Sequence, residues 1–278
     1  MKIIYRLISE LFLIVSPLII LYRILKGKES RYRFFERYAI KSCQRDSGKL
    51  IWFHCSSVGE LLSIVPIVER LEANSKIKQI LITTTTLSSS KIFESLNLKK
   101  SIHQFLPIDN KFLINKFVNY WKPSIFFLCE SEIWPHLIEK IKESKIKLIL
   151  INGRMTKKSF KRWKKIKRFS IKIFEKFDLC LVQNFETQKR LKILGVKKIL
   201  NLGNLKFTTS KKIKKELLQK SFINYFKNKE ILLTAASTHF DEENFVIKNH
   251  LYFSNKNKNI ISIIVPRHIE RTNDIKKE

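Results

Sequence analysis

Acidic side chains follow two strand-like runs of this 278-residue chain, where a carboxylate can act as a general base or bind a ligand. The first run, 50–53, leads through a turn of small residues that includes Ser57 and Gly59 to Glu60, where an amphipathic helix is predicted to begin. The helix dipole keeps a first-turn carboxylate ionised, as a general base must be. Acids are also common at helix starts, and on this stretch alone the simpler interpretation is favoured.

Glu130 and Glu132 follow the second run, 124–129. Two carboxylates one residue apart at the end of a strand can form an acid/base pair, a metal site or the start of a helix, and the spacing does not choose among these. Asn152 and Arg154 follow another apolar run in the same way and can hold a ligand. All four side chains are therefore candidate site residues.

Two strand ends near the C-terminus carry groups suited to a phosphate. Ser237, Thr238 and His239 precede a predicted helix, whose free backbone N–H groups can cradle an anion. The hydroxyl side chains are equally good helix caps. Arg267 and His268 end another apolar run, and an arginine there suits a phosphate or a carboxylate, with a surface ion pair as the simpler interpretation.

The elements that must position these residues alternate along the chain. Short apolar runs predict strands at 50–54, 79–84, 124–129, 147–151, 178–183, 199–202, 231–235 and 260–265. Helical patterns lie near 60–73, 87–96, 111–120, 133–142, 157–177, 186–194, 211–227 and 242–252. Repeated βα alternation predicts a doubly wound α/β fold with a parallel sheet, which binds ligands beyond the carboxyl ends of its strands.

The composition limits the class of partner. A formal charge of +31 implies an anionic neighbour, but the lysines are scattered and Lys, Ile, Asn and Phe are abundant together, so nucleic acid is not expected. Four widely spaced cysteines without a CxxC pair favour a reducing compartment and argue against a disulfide framework or a zinc site.

The N-terminal residues predict a membrane anchor. The stretch 7–22 is largely apolar, at the short edge of what a spanning helix needs, and no small-residue cleavage site follows it. Six basic residues follow within 23–37, a flank that marks the cytoplasmic side and attracts anionic head groups. Both a spanning and an interfacial helix fit this pattern.

Taken in order, the motifs resemble those of the Kdo transferases, which attach 3-deoxy-D-manno-octulosonic acid (Kdo) to a lipid A precursor. They are SSVGE at 56–60, TTTT and LSSS within 83–90, HQFLPID at 103–109, ESEIWP at 130–135, NGRMTKKS at 152–159, GNLKF at 203–207, ASTH at 236–239 and VPRHIER at 265–271. The N-terminal anchor and ERYAI at 36–40 resemble that family too. ESEIWP and VPRHIER are the specific motifs, and the similarity runs along the whole chain.

The resemblance implies a GT-B architecture, in which two Rossmann-like domains face each other across a cleft. We expect a membrane anchor with its basic flank at 1–30, an acceptor-binding domain at 31–205 and the beginning of a donor-binding domain at 206–278. The donor would be CMP-Kdo and the acceptor a lipid A precursor (lipid IVA) of lipopolysaccharide biosynthesis. The catalytic part would lie on the cytoplasmic side of the bacterial inner membrane, against its anionic surface.

The resemblance also implies roles for single residues. Glu60 would be the general base of an inverting transfer to a glucosamine hydroxyl. Support on the acceptor side would come from Ser57, Gly59, Glu130, Glu132, Asn152 and Arg154. The CMP phosphate and the sugar would be held by Ser237, Thr238, His239, Arg267 and His268. No cofactor and no metal are implied, since helix N-termini and arginine can stabilise a nucleoside monophosphate that leaves.

The chain departs from the family pattern at two loops and at its end. A serine replaces the usual glycine in the LSSS loop, and Asp241 stands where a glycine usually follows STH, which predicts a disturbed donor loop. The chain stops at Glu278, before the family's acidic-glycine motif and glycine-rich nucleotide loop. We therefore expect a truncated Kdo transferase. The alternative is a catalytically inactive product that only binds the acidic lipid acceptor at the membrane.

Overall fold

The computed structural model describes residues 2–207, 224, 226–227, 231–256 and 259–276. The chain divides into two compact units, Met1–Ser210 and Lys211–Glu278. The first unit contains seven parallel strands: β1 (Leu50–Cys55), β2 (Gln79–Thr84), β3 (Ser101–Phe105), β4 (Ile125–Cys129), β5 (Lys147–Gly153), β6 (Leu179–Val182) and β7 (Ile199–Asn201). Their order in the sheet is β3-β2-β1-β4-β5-β6-β7.

Eight α-helices accompany this sheet. They are α1 (Lys2–Leu25), α2 (Val58–Glu72), α3 (Leu87–Ser95), α4 (Lys111–Trp121), α5 (Pro135–Glu143), α6 (Lys157–Lys165), α7 (Lys167–Phe174) and α8 (Phe185–Ile193). Short 3₁₀ turns lie at Phe34–Tyr38 and Leu205–Phe207. The parallel α/β fold that the sequence predicts is confirmed.

The apolar runs form strands because both faces of the sheet are covered. Every residue of β1 and β2 is buried, as expected for central parallel strands packed between helices. One core cluster lies on each face: Trp52 packs against Phe117 and Phe126 on one side, whereas Phe53 stacks on Phe127 on the other.

The structure corrects two of the predicted elements in this unit. Strand β3 is absent from the sequence prediction because polar residues interrupt it, yet they are buried: His103 lies 2.9 Å from the Thr84 hydroxyl and Gln104 donates to the Ile40 carbonyl over 3.0 Å. The helix predicted at 157–177 is two helices, α6 and α7, because Ile166 leaves the helical conformation. The helix predicted near 211–227 falls largely outside the described residues.

The strand order places a topological switch point between β1 and β4. From β1 the chain moves outward to β2 and β3, and then returns to β4, which pairs with β1 on its other side. In open parallel sheets the crevice beyond such neighbouring strands is where ligands bind. The turn after β1 carries Glu60, and the turn after β4 carries Glu130 and Glu132.

Helix α1 buries serines and exposes apolar side chains. Ser9 and Ser16 are buried against the rest of the unit, whereas Leu7, Leu11 and Leu18 are 63–70% exposed. The helix has 24 residues, and an 18-residue window within it has a mean hydropathy of 2.0, so by length and composition it is long and apolar enough to cross a membrane. A surface helix in water normally turns its apolar face inward. The reversed pattern of α1 suits lipid contact.

Asp109 fastens α1 to the start of α5. Its carboxylate accepts a 2.6 Å hydrogen bond from the Tyr5 hydroxyl of α1, and bonds of 3.1 and 2.9 Å from the backbone N–H groups of His136 and Leu137. Trp134, the residue before α5, cannot cap this helix with an acceptor because indole has only a donor. Asp109 therefore caps α5 from a distant loop while it holds α1.

The second unit contains two described strands, β8 (Ile231–Thr238) and β9 (Ile260–Pro266), which pair in parallel. They are connected through α9 (Glu242–Lys256), and a short helix α10 (Thr272–Ile275) follows β9. Glu243 is buried and accepts bonds from Thr238 over 2.7 Å and from Arg271 over 2.9 and 3.0 Å. Asp241, which stands where the family usually has a glycine, has a φ of +73°. Its position therefore does require the left-handed conformation that glycine adopts most easily, although aspartate tolerates this conformation better than most residues.

Replacing Asp109 with alanine is expected to destabilise the protein by about 2–4 kcal/mol, because two buried N–H groups and the Tyr5 hydroxyl lose their acceptor. Tyr5→Phe, the matched control, removes only the bond to α1 and should cost about 1 kcal/mol. Urea unfolding in detergent measures both values. Equal losses in the two variants would contradict the capping of α5 by Asp109.

Candidate active site

Glu60 lies on the first turn of α2 with its carboxylate folded back onto the turn after β1. It is only 6% exposed. One carboxylate oxygen accepts bonds from the Ser56 hydroxyl over 2.6 Å and the Ser57 hydroxyl over 3.2 Å, and the other accepts from the Ser56 N–H over 2.8 Å. Ser57 in turn caps α2 by accepting from the Glu60 N–H. The arrangement resembles a capping box, except that the carboxylate accepts from the N–H of the residue before the cap, and it would position a base equally well.

The surroundings of Glu60 make it a stronger base. Burial raises the pKa of Glu60 above its ordinary value, the hydrogen bonds from Ser56 oppose this, and the nearby charges of Glu130 and Glu132 raise the pKa further. A carboxylate with a raised pKa holds a proton more tightly once it has taken it. A helix cap does not need this property, whereas a general base does.

Glu132 is held in its ionised form by two ring donors. His54 Nε2 lies 3.1 Å from its carboxylate, and Trp134 Nε1 donates to the same oxygen over 3.0 Å. Although burial acts in the opposite direction, these bonds lower the pKa of Glu132 below its ordinary value. Because an ionised carboxylate can only accept, His54 Nε2 carries a hydrogen. Two neighbouring glutamates, Glu60 and Glu132, therefore have pKa values shifted in opposite directions.

Glu130 is neutralised by a lysine from a distant motif. Lys206 Nζ, from the turn after β7, lies 2.7 Å from the Glu130 carboxylate. Asn152 links the same two segments, since its side-chain oxygen accepts from the Leu205 N–H over 3.0 Å and its amide group lies 3.5 Å from Glu130. Glu130 and Asn152 both have positive φ values, of 52° and 53°. Strained backbone of this kind often accompanies functional sites.

The remaining predicted residues of the first unit lie at the rim. Gly59 is exposed on the first turn of α2, and a β-carbon there would meet Lys206 at 3.7 Å, an ordinary contact distance. Arg154 is exposed, and within the part of the chain that the structure describes its side chain has no polar partner. Thr156 caps α6 by accepting a hydrogen bond from the Ser159 N–H.

The predicted donor residues lie together in the second unit. Thr238 ends β8 and is buried, and its carbonyl accepts from the Arg267 N–H over 3.1 Å, where β9 ends. The side chains of His239, Arg267 and His268 are exposed at this edge, and Ser237 has a φ of +65°. Two adjacent strand ends thus present hydroxyl, imidazole and guanidinium groups, a combination suited to an anion.

Sequence reasoning missed His54 and Lys206. His54 reads as part of the apolar run of β1, and only its fully buried position beside Glu132 distinguishes it. Lys206 belongs to GNLKF, a motif that the resemblance singled out without giving a role to its lysine. Among the described residues no group of three His, Cys, Asp or Glu side chains is placed to hold a metal ion.

Solved structures with a similar fold include nucleotide-sugar enzymes. A putative UDP-N-acetylglucosamine 2-epimerase from Listeria monocytogenes matches with a TM-score of 0.61 and 11% identity, over 83% of this chain and 65% of that one. A glycosyltransferase from Rickettsia africae matches with a TM-score of 0.52 and 15% identity, over 84% of this chain and 65% of that one. At such identities the likeness establishes the fold, which is of the GT-B type, and nothing about the reaction.

Comparison of sequences gives the family. The chain is 36% identical to a 3-deoxy-D-manno-octulosonic acid transferase from Rickettsia bellii over 276 residues, 98% of this chain and 64% of that protein. It is 32% identical to the Haemophilus influenzae protein of the same name, over 95% of this chain and 64% of that protein. The chain therefore spans slightly less than two thirds of the length of these relatives.

A family profile for 3-deoxy-D-manno-octulosonic-acid transferase (kdotransferase) matches residues 31–209. This stretch contains the whole switch-point crevice, with Glu60, Glu130, Glu132 and Lys206. Both the profile and the relatives agree with the motifs read from the sequence, and the chain belongs to the Kdo transferase family.

Proposed function

We propose that this protein transfers Kdo from CMP-Kdo to a lipid A precursor at the inner surface of the bacterial inner membrane, with Glu60 as general base. The observation that carries the proposal is the buried Glu60 carboxylate at the switch point. Its pKa is raised by burial and by the neighbouring charges of Glu130 and Glu132. Membership of the Kdo transferase family supplies the substrate class.

The chemistry follows from the arrangement around Glu60. Its carboxylate takes the proton of a glucosamine hydroxyl as that oxygen attacks the anomeric carbon of Kdo. The bond from this carbon to the phosphate of CMP breaks on the opposite side, its electron pair leaves with CMP, and the configuration inverts. Ser56 and Ser57 hold the base in place, and the ionised Glu132 favours its taking up a proton.

The donor side of the proposal rests on the second unit. Thr238 and Arg267 lie at adjacent strand ends with Ser237, His239 and His268. Arginine and backbone N–H groups stabilise the charge that develops on a departing phosphate without a metal ion or cofactor. We assign these five residues to the CMP phosphate and the sugar of CMP-Kdo.

The membrane side of the proposal rests on α1. From Leu7 to Leu21 its exposed side chains are apolar and its buried ones include two serines, so lipid is the better solvent for this part of its outer face. Lys26, Lys28 and Arg31 follow directly, and each basic residue near an anionic surface contributes about 1 kcal/mol of attraction. The helix therefore brings the crevice to the surface where a lipid acceptor resides.

Glu60→Gln is expected to lower kcat for Kdo transfer to a tetra-acylated lipid A precursor roughly 10²–10⁴-fold, because the amide cannot accept the proton. The amide has the same shape, its oxygen can accept from the Ser56 N–H and its NH2 group can donate to the two serine hydroxyls, so stability should change little. Glu69→Gln, on the exposed side of the same helix, is the matched control and should retain turnover. Full activity in Glu60→Gln would overturn the assignment. A wild-type chain that binds the lipid without turnover would leave the binding-only alternative.

The pH dependence tests the coupling between the glutamates. Transfer requires ionised Glu60, so kcat/KM should fall as the pH drops through the pKa of Glu60. Because this pKa is raised, the acid limb of the pH profile should lie at a higher pH than the ordinary pKa of a glutamate. Glu132→Gln removes a negative charge that raises the pKa of Glu60, and the limb should move to lower pH. Glu143→Gln, an equal charge change at an exposed position of α5, should leave the limb in place. A shift to higher pH in Glu132→Gln would contradict the coupling.

A further inference from the structure

A groove of about 470 Å³ lies between α1 and the loop that follows β3. Its walls are mostly apolar, with Ile8, Phe12 and Ile19 from α1, Leu106 and Ile108 from the loop, and Trp134. The volume falls within the range of about 300–1,000 Å³ that is typical of small-molecule sites.

The polar groups that border this groove are already paired within the protein. Arg37 donates to Glu29 over 3.2 Å and to the Thr85 carbonyl over 2.6 Å. Asp109 has its three donors, including Tyr5. The two buried serines of α1 bond to backbone carbonyls of their own helix. A molecule bound in the groove would therefore contact hydrocarbon, and it would not have to supply hydrogen-bond partners to the protein.

The groove also borders the catalytic crevice. Trp134, which lines the groove, donates to Glu132 over 3.0 Å. Thr85, which lines it as well, donates to the carbonyl of Ser56 over 2.7 Å, and the Ser56 hydroxyl bonds to Glu60. Trp134 and Thr85 thus line the groove and also donate hydrogen bonds to groups that surround the proposed base.

We propose that this groove binds an acyl chain of the glycolipid acceptor and thereby places the acceptor sugar at Glu60. The inference rests on the proposed function, and adds a subsite that recognises hydrocarbon rather than sugar. The outer face of α1 is apolar, so a chain can pass from the bilayer into the groove without crossing water. Basic residues at the end of α1, Arg23, Lys26 and Lys28, complement the acidic head of such a lipid.

Contact between the chain and the groove can be measured without turnover. Bromine quenches indole fluorescence on contact, and Trp134 is the reporter. Trp52 and Trp121 are 0% and 1% exposed and cannot meet a lipid, whereas Trp163, which lines a neighbouring hollow beside α1, is first replaced by phenylalanine. In detergent micelles, acceptor with brominated acyl chains should quench Trp134, and unbrominated acceptor should reverse the effect. Brominated phospholipid at the same mole fraction should quench far less.

A pair of variants tests whether the groove serves the reaction. Ile19→Trp fills the groove and should raise KM for the acylated acceptor roughly tenfold, with kcat little changed. A tenfold loss of affinity corresponds to the burial of about two methylene groups of the acyl chain. KM for a deacylated acceptor should not move. Ile14→Trp makes the same substitution at a 75% exposed position of α1 outside the groove and should behave as wild type.

The outcomes separate the groove from the reaction. Quenching specific for the acceptor together with the KM effect supports the subsite. Absence of quenching, or equal quenching by phospholipid, overturns it even when the chain transfers Kdo. If the wild-type chain transfers no Kdo yet acceptor-specific quenching persists, the proposed function fails and the lipid subsite stands.

Discussion

Parallel pairing of β1 with β4 is the constraint on which the candidate active site depends. It brings the turns that follow these strands to one edge of the sheet, although some 70 residues separate them in the chain. Glu60, Glu130 and Glu132 therefore share a crevice in which like charges would repel. Each carboxylate there has its own compensation: hydroxyl and backbone donors for Glu60, ring donors for Glu132 and an ammonium group for Glu130.

These compensations differ in kind, and they shift the pKa values of Glu60 and Glu132 in opposite directions. An ion pair or strong donors favour the charged form of a carboxylate, whereas burial favours the protonated form. Glu132 is dominated by its donors and Glu60 by burial, so their pKa values move apart. In the proposed reaction this difference makes Glu132 a fixed charge and Glu60 the group that accepts a proton.

Helix α1 joins the surroundings of this crevice to an apolar outer surface. Tyr5, Ser9 and Ser16 face polar groups of the rest of the unit, and leucine, isoleucine and phenylalanine side chains lie on the outside. Because Asp109 both holds Tyr5 and caps α5, the position of the helix is coupled to the element that begins directly after Trp134. The apolar outer face of α1, the groove and the ionised Glu132 are thus joined through a short series of bonded residues.

The sequence by itself determined the βα alternation, the parallel fold, the family and the stretches that carry Glu60, Glu130 and Glu132, because short apolar runs and motif order are local properties. It did not reveal β3, whose polar residues resemble a loop until their buried partners are known, nor the break at Ile166. Only the tertiary structure brought Lys206 to Glu130 and His54 to Glu132. Those contacts join segments about 75 residues apart along the chain, and no local pattern encodes which distant side chain will neutralise a buried charge.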